Sequence, residues 1–336
     1  MAVDSFLVGI LACPHDGSKL SADADTLTCA CGRTYPVIDG IPVMLRDDVM
    51  QTHGEAQRSL AAARGERPLD EVIEATPGET PDTVPAGSAV DPHVQSWISA
   101  TGGVMYKDLI GRLKDYPIPH LDLPHSPGKL FLDIGCNWGR WCVAAARLGF
   151  IPVGIDPSLQ ALRAAQRVAR QLGVRAHFVC GDGRYLPFQT RTFDVVYSYS
   201  VLQHFAKADV AQSLREVARV VRPSGEVVIQ MPNVFGLRSL YHQARRGFHE
   251  GRDFDVRYWT PGELRHRFEE LIGPTRLDVD GFFSLNPQAA DKHLLPLRYR
   301  AVVTVSDTLR AASRAVGALR YAADSLMVRA RPRATS

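Results

Sequence analysis

The stretch LFLDIGCNWGRW, residues 130–141, constrains this chain more than any other segment. An apolar β-type run breaks at Gly135, and a second glycine, Gly139, follows four positions later, just before a helical pattern. Small residues let a strand turn sharply into a helix and let the backbone approach a ligand closely. They do not account for Asp133, a carboxylate two positions before the first glycine. The spacing Gly135-x-x-x-Gly139, with Asn137 in the middle, departs from the G-x-G-x-x-G turn that cradles a pyrophosphate on a helix N-terminus. A carboxylate beside that turn repels an anionic pyrophosphate and suits a ligand whose near end is cationic.

The text around this turn alternates strand and helix. KLFLDIG, IPVGID, AHFVCGD, FDVVYSYS and EVVIQMP read as five strands, with the helices GRWCVAAARLG and PSLQALRAAQRVARQLG after the first two. A third helix, ADVAQSLREVARVV, leads into a PSG turn before strand five. TPGELRHRFEELIG adds a further helix whose Thr260 and Glu263 have capping-box spacing, with Pro261 at its first position. Two last strands, at 276–284 and 324–332, pair as a hairpin interrupted by a helical excursion. Strands alternating with helices predict an α/β fold: a doubly wound, mostly parallel seven-stranded, Rossmann-like sheet covered on both faces. In such a sheet, ligands bind beyond the C-terminal strand ends. Asp156 ends the second strand, where a carboxylate can accept both hydroxyls of a ribose. Asp182 ends the third, within reach of a purine edge. S-adenosylmethionine combines a cationic amino-acid end with a ribose and an adenine and has no phosphate.

At 336 residues the chain accommodates one substantial domain and a smaller one. A net charge of +3 is too small to argue for nucleic acid as a bulk partner. No apolar run approaches the roughly 20 residues a membrane helix needs. MAVDSFLVGILACPHDG lacks the basic segment and cleavage site of a signal peptide, so a cytoplasmic protein is expected. Cys136, Cys142 and Cys180 fall in apolar contexts and read as packing residues suited to a reducing compartment.

Over residues 128–332 the chain resembles the class I S-adenosylmethionine-dependent methyltransferases. The resemblance rests on LDIGCNWG, VGIDPS, CGDGRYLPF, FDVVYSYSVLQHF and LREVARVVRPSGEVVIQMPN, five elements in order at the right spacing. It implies S-adenosylmethionine as cofactor. Gly135 and Gly139 would shape the loop, Asp156 hold the ribose, and Asp182 and the Gly183 amide contact adenine. The Ser198–Tyr199 segment would lie under the sulfonium, with Asp133 acting through water or backbone amides near the methionine end. Asn137 stands where glycine is commoner, and asparagine tolerates a left-handed backbone. His204, after strand four, is the best-placed general base for a hydroxyl acceptor; Tyr199, His242 and Tyr258 are further candidates. YSYS does not match the Asn/Asp-Pro-Pro-Tyr type sequence of many amino-methyltransferases acting on bases or glutamine.

Two inserts are expected to act as lids, at about 233–259 and 287–323. The first carries Arg238, Arg245, Arg246, Arg252 and Arg257 among Tyr241, Phe248, Tyr258 and Trp259. That mixture suits an acceptor bearing phosphate, carboxylate or sugar, and equally a solvated basic face. Residues 301–323 read as a packed helix, a second lid or a homodimer face, with membrane-surface contact a lesser option.

Residues 1–48 resemble the zinc-ribbon-like domain of methyltransferase-activator proteins, chiefly through YPVIDGIPVML. A full zinc knuckle presents two C-x-x-C pairs. Here Asp16 replaces one cysteine and Cys29-Ala30-Cys31 is shortened, which predicts a metal-free fold; Cys13, Asp16, Cys29 and Cys31 are the ligands if a metal is held, with His15 competing. Residues 49–95, rich in Pro, Gly, Thr and acids, are expected to be a partly disordered linker, and 96–336 the catalytic domain. The expected activity is O-methylation of a small metabolite or glycan-type acceptor. The alternatives are RNA or translation-factor methylation, and a non-catalytic interaction protein that keeps the fold.

Overall fold

The computed structural model describes residues 3–66, 68, 89–283 and 289–333. The chain opens with a short helix, α1 (Ser5–Ile10), capped by the Asp4 side chain. A four-stranded antiparallel sheet follows: β1 (Leu20–Asp23), β2 (Thr26–Cys29), β3 (Thr34–Ile38) and β4 (Ile41–Pro42). Alternation sets its faces: in β3 Tyr35 and Val37 point inward, and Leu27 of β2 is fully buried beside them. Fully burying such side chains stabilises by roughly 1.5–3 kcal/mol each.

This small sheet is not a separate bead. Leu11, Leu27, Tyr35 and Met44 share one apolar core with the main sheet. Backbone hydrogen bonds run from Met44 N to the Cys180 carbonyl at 2.7 Å and from Ala12 N to the Pro187 carbonyl at 3.0 Å.

The linker expectation fails where the structure is described. Residues 54–63 form α2 (Gly54–Ala63), capped by the His53 ring. Ser59 on its inner face is 2% exposed; its hydroxyl donates to the Pro157 carbonyl at 2.7 Å and accepts from Leu159 N at 2.9 Å. The disorder expected further along falls mainly on residues 69–88, which lie outside the described residues. α3 (Pro92–Gly102) follows, with Asp91 as cap and Pro92 at its first position.

The main sheet has seven strands. β5 (Leu130–Ile134), β6 (Ile151–Asp156), β7 (His177–Cys180), β8 (Phe193–Ser198) and β9 (Val221–Pro232) are parallel. β10 (Thr275–Gly281) and β11 (Ser325–Ala330) form an antiparallel pair, and β11 lies antiparallel to β9. The spatial order is β10-β11-β9-β8-β5-β6-β7. The expected turn at Pro223–Gly225 is instead a register irregularity inside β9: Phe193 faces Val221, while Val195 faces Glu226. Helices α4 (Arg140–Arg147), α5 (Leu159–Gln171) and α6 (Lys207–Val220) cover the sheet. The first insert contains α7 (Leu237–Arg245), and α8 (Pro261–Leu271) starts with the Thr260–Glu263 capping box. α9 (Leu297–Ala312) lies between the two last strands. No helix among the described residues is long and apolar enough to cross a membrane.

The strand order reverses at β5, whose neighbours are β6 on one side and β8 on the other. The crevice beyond the C-terminal ends of these strands is where an open sheet of this kind leaves room for a ligand.

Candidate active site

The turn after β5 has the backbone its residues suggest. Gly135 sits at φ +75°, and a Cβ there would come within 2.2 Å of Val201 Cγ2, so only glycine fits. Asn137 takes a left-handed φ of 45°, and its side-chain oxygen accepts from Trp138 N at 2.8 Å. Gly139, at φ +80°, caps α4.

Asp156 closes β6. Its carboxylate accepts from Asn137 N and from Ser158 N, both at 2.9 Å, which ties the glycine turn to the second strand. Each oxygen keeps a second lone pair. Burial pushes this carboxyl up to about 6 against the pull of those two amides, and the charge of nearby Glu55 adds to the rise.

These groups line one cavity. Its floor is Gly135, Asn137, Asp156, Asp182, Gly183 and Tyr199 from the strand ends. His53 and Glu55 of the α2 segment, Trp97 and Thr101 of α3, and His204 and Phe254 close over it. Three rings sit in a row: Phe254 stacks on His204 with centroids 3.9 Å apart, and His53 meets Phe254 edge-on at 4.7 Å. Glu55 is held in place by the Ser158 hydroxyl at 3.2 Å and by Arg58.

His204 lies in a single 3-10 turn after β8. Its Nδ1 is 2.6 Å from the Phe254 carbonyl, and a carbonyl only accepts, so Nδ1 carries the proton and Nε2 is the basic atom, 3.1 Å from Gln203 Nε2. Burial lowers its pKa to about 4, which makes it neutral and weakly basic near pH 7. Tyr199 donates to Asp280 at 2.9 Å, and Asp280 also accepts from Ser325. Burial raises the Asp280 carboxyl.

Several predicted residues stand elsewhere. Asp182 reaches the cavity, but Arg184 occupies its carboxylate through its backbone N at 2.8 Å, Nε at 3.0 Å and Nη2 at 2.6 Å. A purine edge would have to compete with that ion pair. Ser198 is fully buried, its hydroxyl donating to the Ile134 carbonyl at 3.0 Å. Asp133 and Gly139 lie behind the lining. Asp133 is 1% exposed, accepts a 3.5 Å contact from the Cys142 thiol, and is raised to about 7 by burial. His242 and Tyr258 line a separate hollow with Arg245 and Arg246. The residues that sequence reasoning missed are Glu55, Trp97, Thr101, Arg140 and Phe254. Only Arg140, next to Gly139, had a motif to flag it.

In the N-terminal sheet, one ligand atom from each of Cys13, Asp16, Cys29 and Cys31 falls within 4.8 Å of all the others. A tetrahedral zinc with sulfur at about 2.3 Å places its sulfurs about 3.8 Å apart. Cys13 and Cys31 Sγ are 3.8 Å apart, and Cys29 Sγ is 3.7 Å from Asp16. Hydrogen bonds from Ser18 hold the Asp16 carboxyl down at about 2. Burial works against a thiolate at Cys29, but hydrogen bonds from Cys31 and Ser18 outweigh it and lower its pKa. The Cys29 contact in turn raises the Cys31 thiol to about 11, so it is the spacing of the four ligand atoms that fits a cation.

The sheet order with its reversed β11, the glycine turn and the acid ending β6 define the fold of the class I, S-adenosylmethionine-dependent methyltransferases. Residues 131–225 match the family described as a methyltransferase domain. The chain is 30% identical over 180 residues to the ubiquinone biosynthesis O-methyltransferase of Azorhizobium caulinodans, covering 51% of this chain and 66% of that one. It is 34% identical over 111 residues to the norajmaline N-methyltransferase of Rauvolfia serpentina, covering 32% and 37%. Among solved structures it is similar to magnesium protoporphyrin IX methyltransferase from Synechocystis PCC 6803 with bound SAH, at 14% identity and a TM-score of 0.43, covering 71% of this chain and 80% of that one. The chain thus spans under two thirds of the length of the curated relatives it matches.

Proposed function

We propose that this protein transfers a methyl group from S-adenosylmethionine to an oxygen of a small-molecule acceptor. The observation that carries the reading is Asp156. A buried carboxylate, fixed by two backbone amides with one lone pair left on each oxygen, faces the cavity at the end of the second strand. That arrangement suits a diol and repels a pyrophosphate. Glu55 adds a second acceptor on the same side. Gly135 keeps the floor open for close approach of the nucleoside.

When bound, the sulfonium supplies an electrophilic methyl on a good leaving group. The residues of this chain then have to align the acceptor, exclude water and take a proton. Trp97, Trp138, Trp141 and Phe254 supply apolar walls. Neutral His204 has its tautomer fixed by the Phe254 carbonyl, and its one acceptor, Nε2, takes a proton from the substrate hydroxyl by exchanging the hydrogen bond it receives from the Gln203 amide. A base this weak suits an acceptor hydroxyl that is itself acidic, such as a phenol. Tyr199, tied to Asp280, orients that side of the cavity.

Titration calorimetry with S-adenosylhomocysteine, followed by incubation of a metabolite extract with methyl-labelled cofactor, tests the reading. Binding and label in a small-molecule product are expected. No binding refutes it, and label confined to RNA or protein moves the acceptor to those classes.

The Cys13, Asp16, Cys29 and Cys31 set is proposed to hold a structural zinc ion, replacing the metal-free expectation. Native mass spectrometry should find one zinc per chain and none in Cys29→Ser. A metal-free native chain would restore the earlier reading.

A further inference from the structure

The helix α7 inverts the usual rule of burial. From Asn233 to His249 the chain carries Arg238, Arg245 and Arg246 but neither Asp nor Glu. At about 100° per residue, Leu237, Leu240 and Tyr241 fall on one stripe of α7, Arg238, His242 and Arg245 on the next, and Ser239 and Gln243 on the third. The third stripe faces the protein. Ser239 is fully buried, its amide donating to the Asp324 carboxylate at 2.8 Å, and the Gln243 side chain donates to the Val234 carbonyl at 2.9 Å. The large apolar side chains are left outside: Leu237, Leu240, Tyr241 and, just beyond the helix, Phe248 are between 40% and 69% exposed. The Asn233 side chain donates to the Arg320 and Tyr321 carbonyls, both at 3.2 Å, which brings the exposed Tyr321 beside the start of the helix.

Single exposed apolar residues are ordinary on a protein surface, but a contiguous stripe of them marks a contact face. The neighbouring stripe says what kind of contact. Among the described residues, Arg238 pairs with the His242 ring at 3.4 Å and Arg245 lies 5.8 Å over the Tyr241 ring, and neither has a carboxylate partner. The nearby acids are engaged elsewhere: Asp324 is buried and accepts from the amides of Ser239 and Phe283, and Asp255 lies 3.7 Å from Arg246. Apolar side chains flanked by arginines without counter-charges suit the boundary between lipid headgroups and acyl chains, where the arginines meet anionic lipid. A second copy of this chain would cover the apolar stripe but would crowd the two sets of arginines together.

We propose that α7 and Phe248 form a peripheral docking face for a lipid bilayer that contains anionic headgroups. Leu237, Leu240, Tyr241 and Phe248 enter the acyl boundary, and Arg238 and Arg245 meet the headgroup phosphates. Both Nη atoms of Arg246 donate to the Val256 carbonyl at 3.1 Å, which joins the end of α7 to the segment carrying Phe254 and sets the docked face next to the cover of the cavity. None of the docking residues lines that cavity, so the inference stands apart from the S-adenosylmethionine reading.

The test is co-sedimentation of the full chain with vesicles of phosphatidylcholine alone and of phosphatidylcholine mixed with phosphatidylglycerol. Binding to the mixed vesicles is expected to be about tenfold tighter and to weaken as salt is raised. One double variant, Leu237→Ser with Leu240→Ser, removes apolar contact; another, Arg238→Gln with Arg245→Gln, removes charge. Each should lower binding to the mixed vesicles by about tenfold, with thermal melts showing that both are folded. Folded variants that bind as the wild type does would move membrane contact to another face and overturn the proposal. No binding of the wild type, or equal binding to both kinds of vesicle, would overturn it too. Light scattering reads the rival outcome: a dimer that is lost in the leucine variant would make this face an interface between copies instead.

Discussion

The floor of the cavity and its cover are made differently. The floor comes from strand ends and one turn, where the Gly135 amide donates to the Ile155 carbonyl and the Asp156 carboxylate accepts from the amides of Asn137 and Ser158, all within one short stretch of sequence. The cover comes from segments far apart in the chain: α2, α3 and the loop carrying Phe254. Its contacts join residues distant in sequence, such as the Glu55 carboxylate with the Ser158 hydroxyl, 103 residues away, and the His204 ring with the Phe254 carbonyl, 50 residues away. A floor built this way presents a fixed set of acceptors, whereas the cover can vary in residue type without disturbing the sheet. Cofactor affinity should therefore depend chiefly on the floor, and acceptor chemistry on the cover.

Four measurements break or sharpen this contrast. The largest effect is expected at the floor: Asp156→Ala should weaken S-adenosylhomocysteine binding by on the order of tenfold or more, because hydrogen bonds to a charged acceptor are lost. Unchanged affinity would place the ribose elsewhere.

At the cover, His204→Ala should lower turnover by about tenfold while leaving cofactor affinity within about twofold, as removal of a general base does. A matching loss in affinity would instead make His204 part of the cofactor site.

The third effect follows from pH. Asp156 has a raised pKa of about 6 in the free protein and must be ionised to accept two hydroxyls. Affinity should be complete above pH 7 and fall with acidification, by about tenfold between pH 7 and pH 5. A flat profile across that range would mean that a protonated Asp156 serves equally well.

The smallest effect is expected for Glu55→Gln, which keeps the shape of the side chain and removes its charge. Glu55 is already paired with Arg58, so a loss of about threefold in cofactor affinity is expected. A loss rivalling that of Asp156→Ala would erase the distinction between floor and cover.

The same contrast explains what could be read from the sequence. Gly135, Asn137, Asp156 and the Thr260–Glu263 cap act over short distances, so spacing alone carries them. The pairing of β10 with β11 was legible because Leu277 and Val279 alternate with charged residues, Leu326, Val328 and Ala330 recur at every second position, and the excursion between the strands is helical. Asp182 was legible as a strand-end acid, but whether Arg184 bends back onto it depends on rotamers that spacing does not encode. The helix at Gly54–Ala63 was hidden because its inner face uses Ala56 and Ser59, and a buried serine announces itself only once Pro157 and Leu159 are beside it. Glu55 and Phe254 join the cavity through tertiary contacts alone.

The hydrogen bond from Met44 to Cys180 has a consequence beyond holding two sheets together. Strand β7 ends the main sheet, and the run His177–Cys180 is buried along its length, with Phe178, Val179 and Cys180 apolar. Left bare, such a rim would invite a neighbouring chain to add its own strand. By laying its first fifty residues against that rim, the polypeptide carries its own guard against association through the sheet.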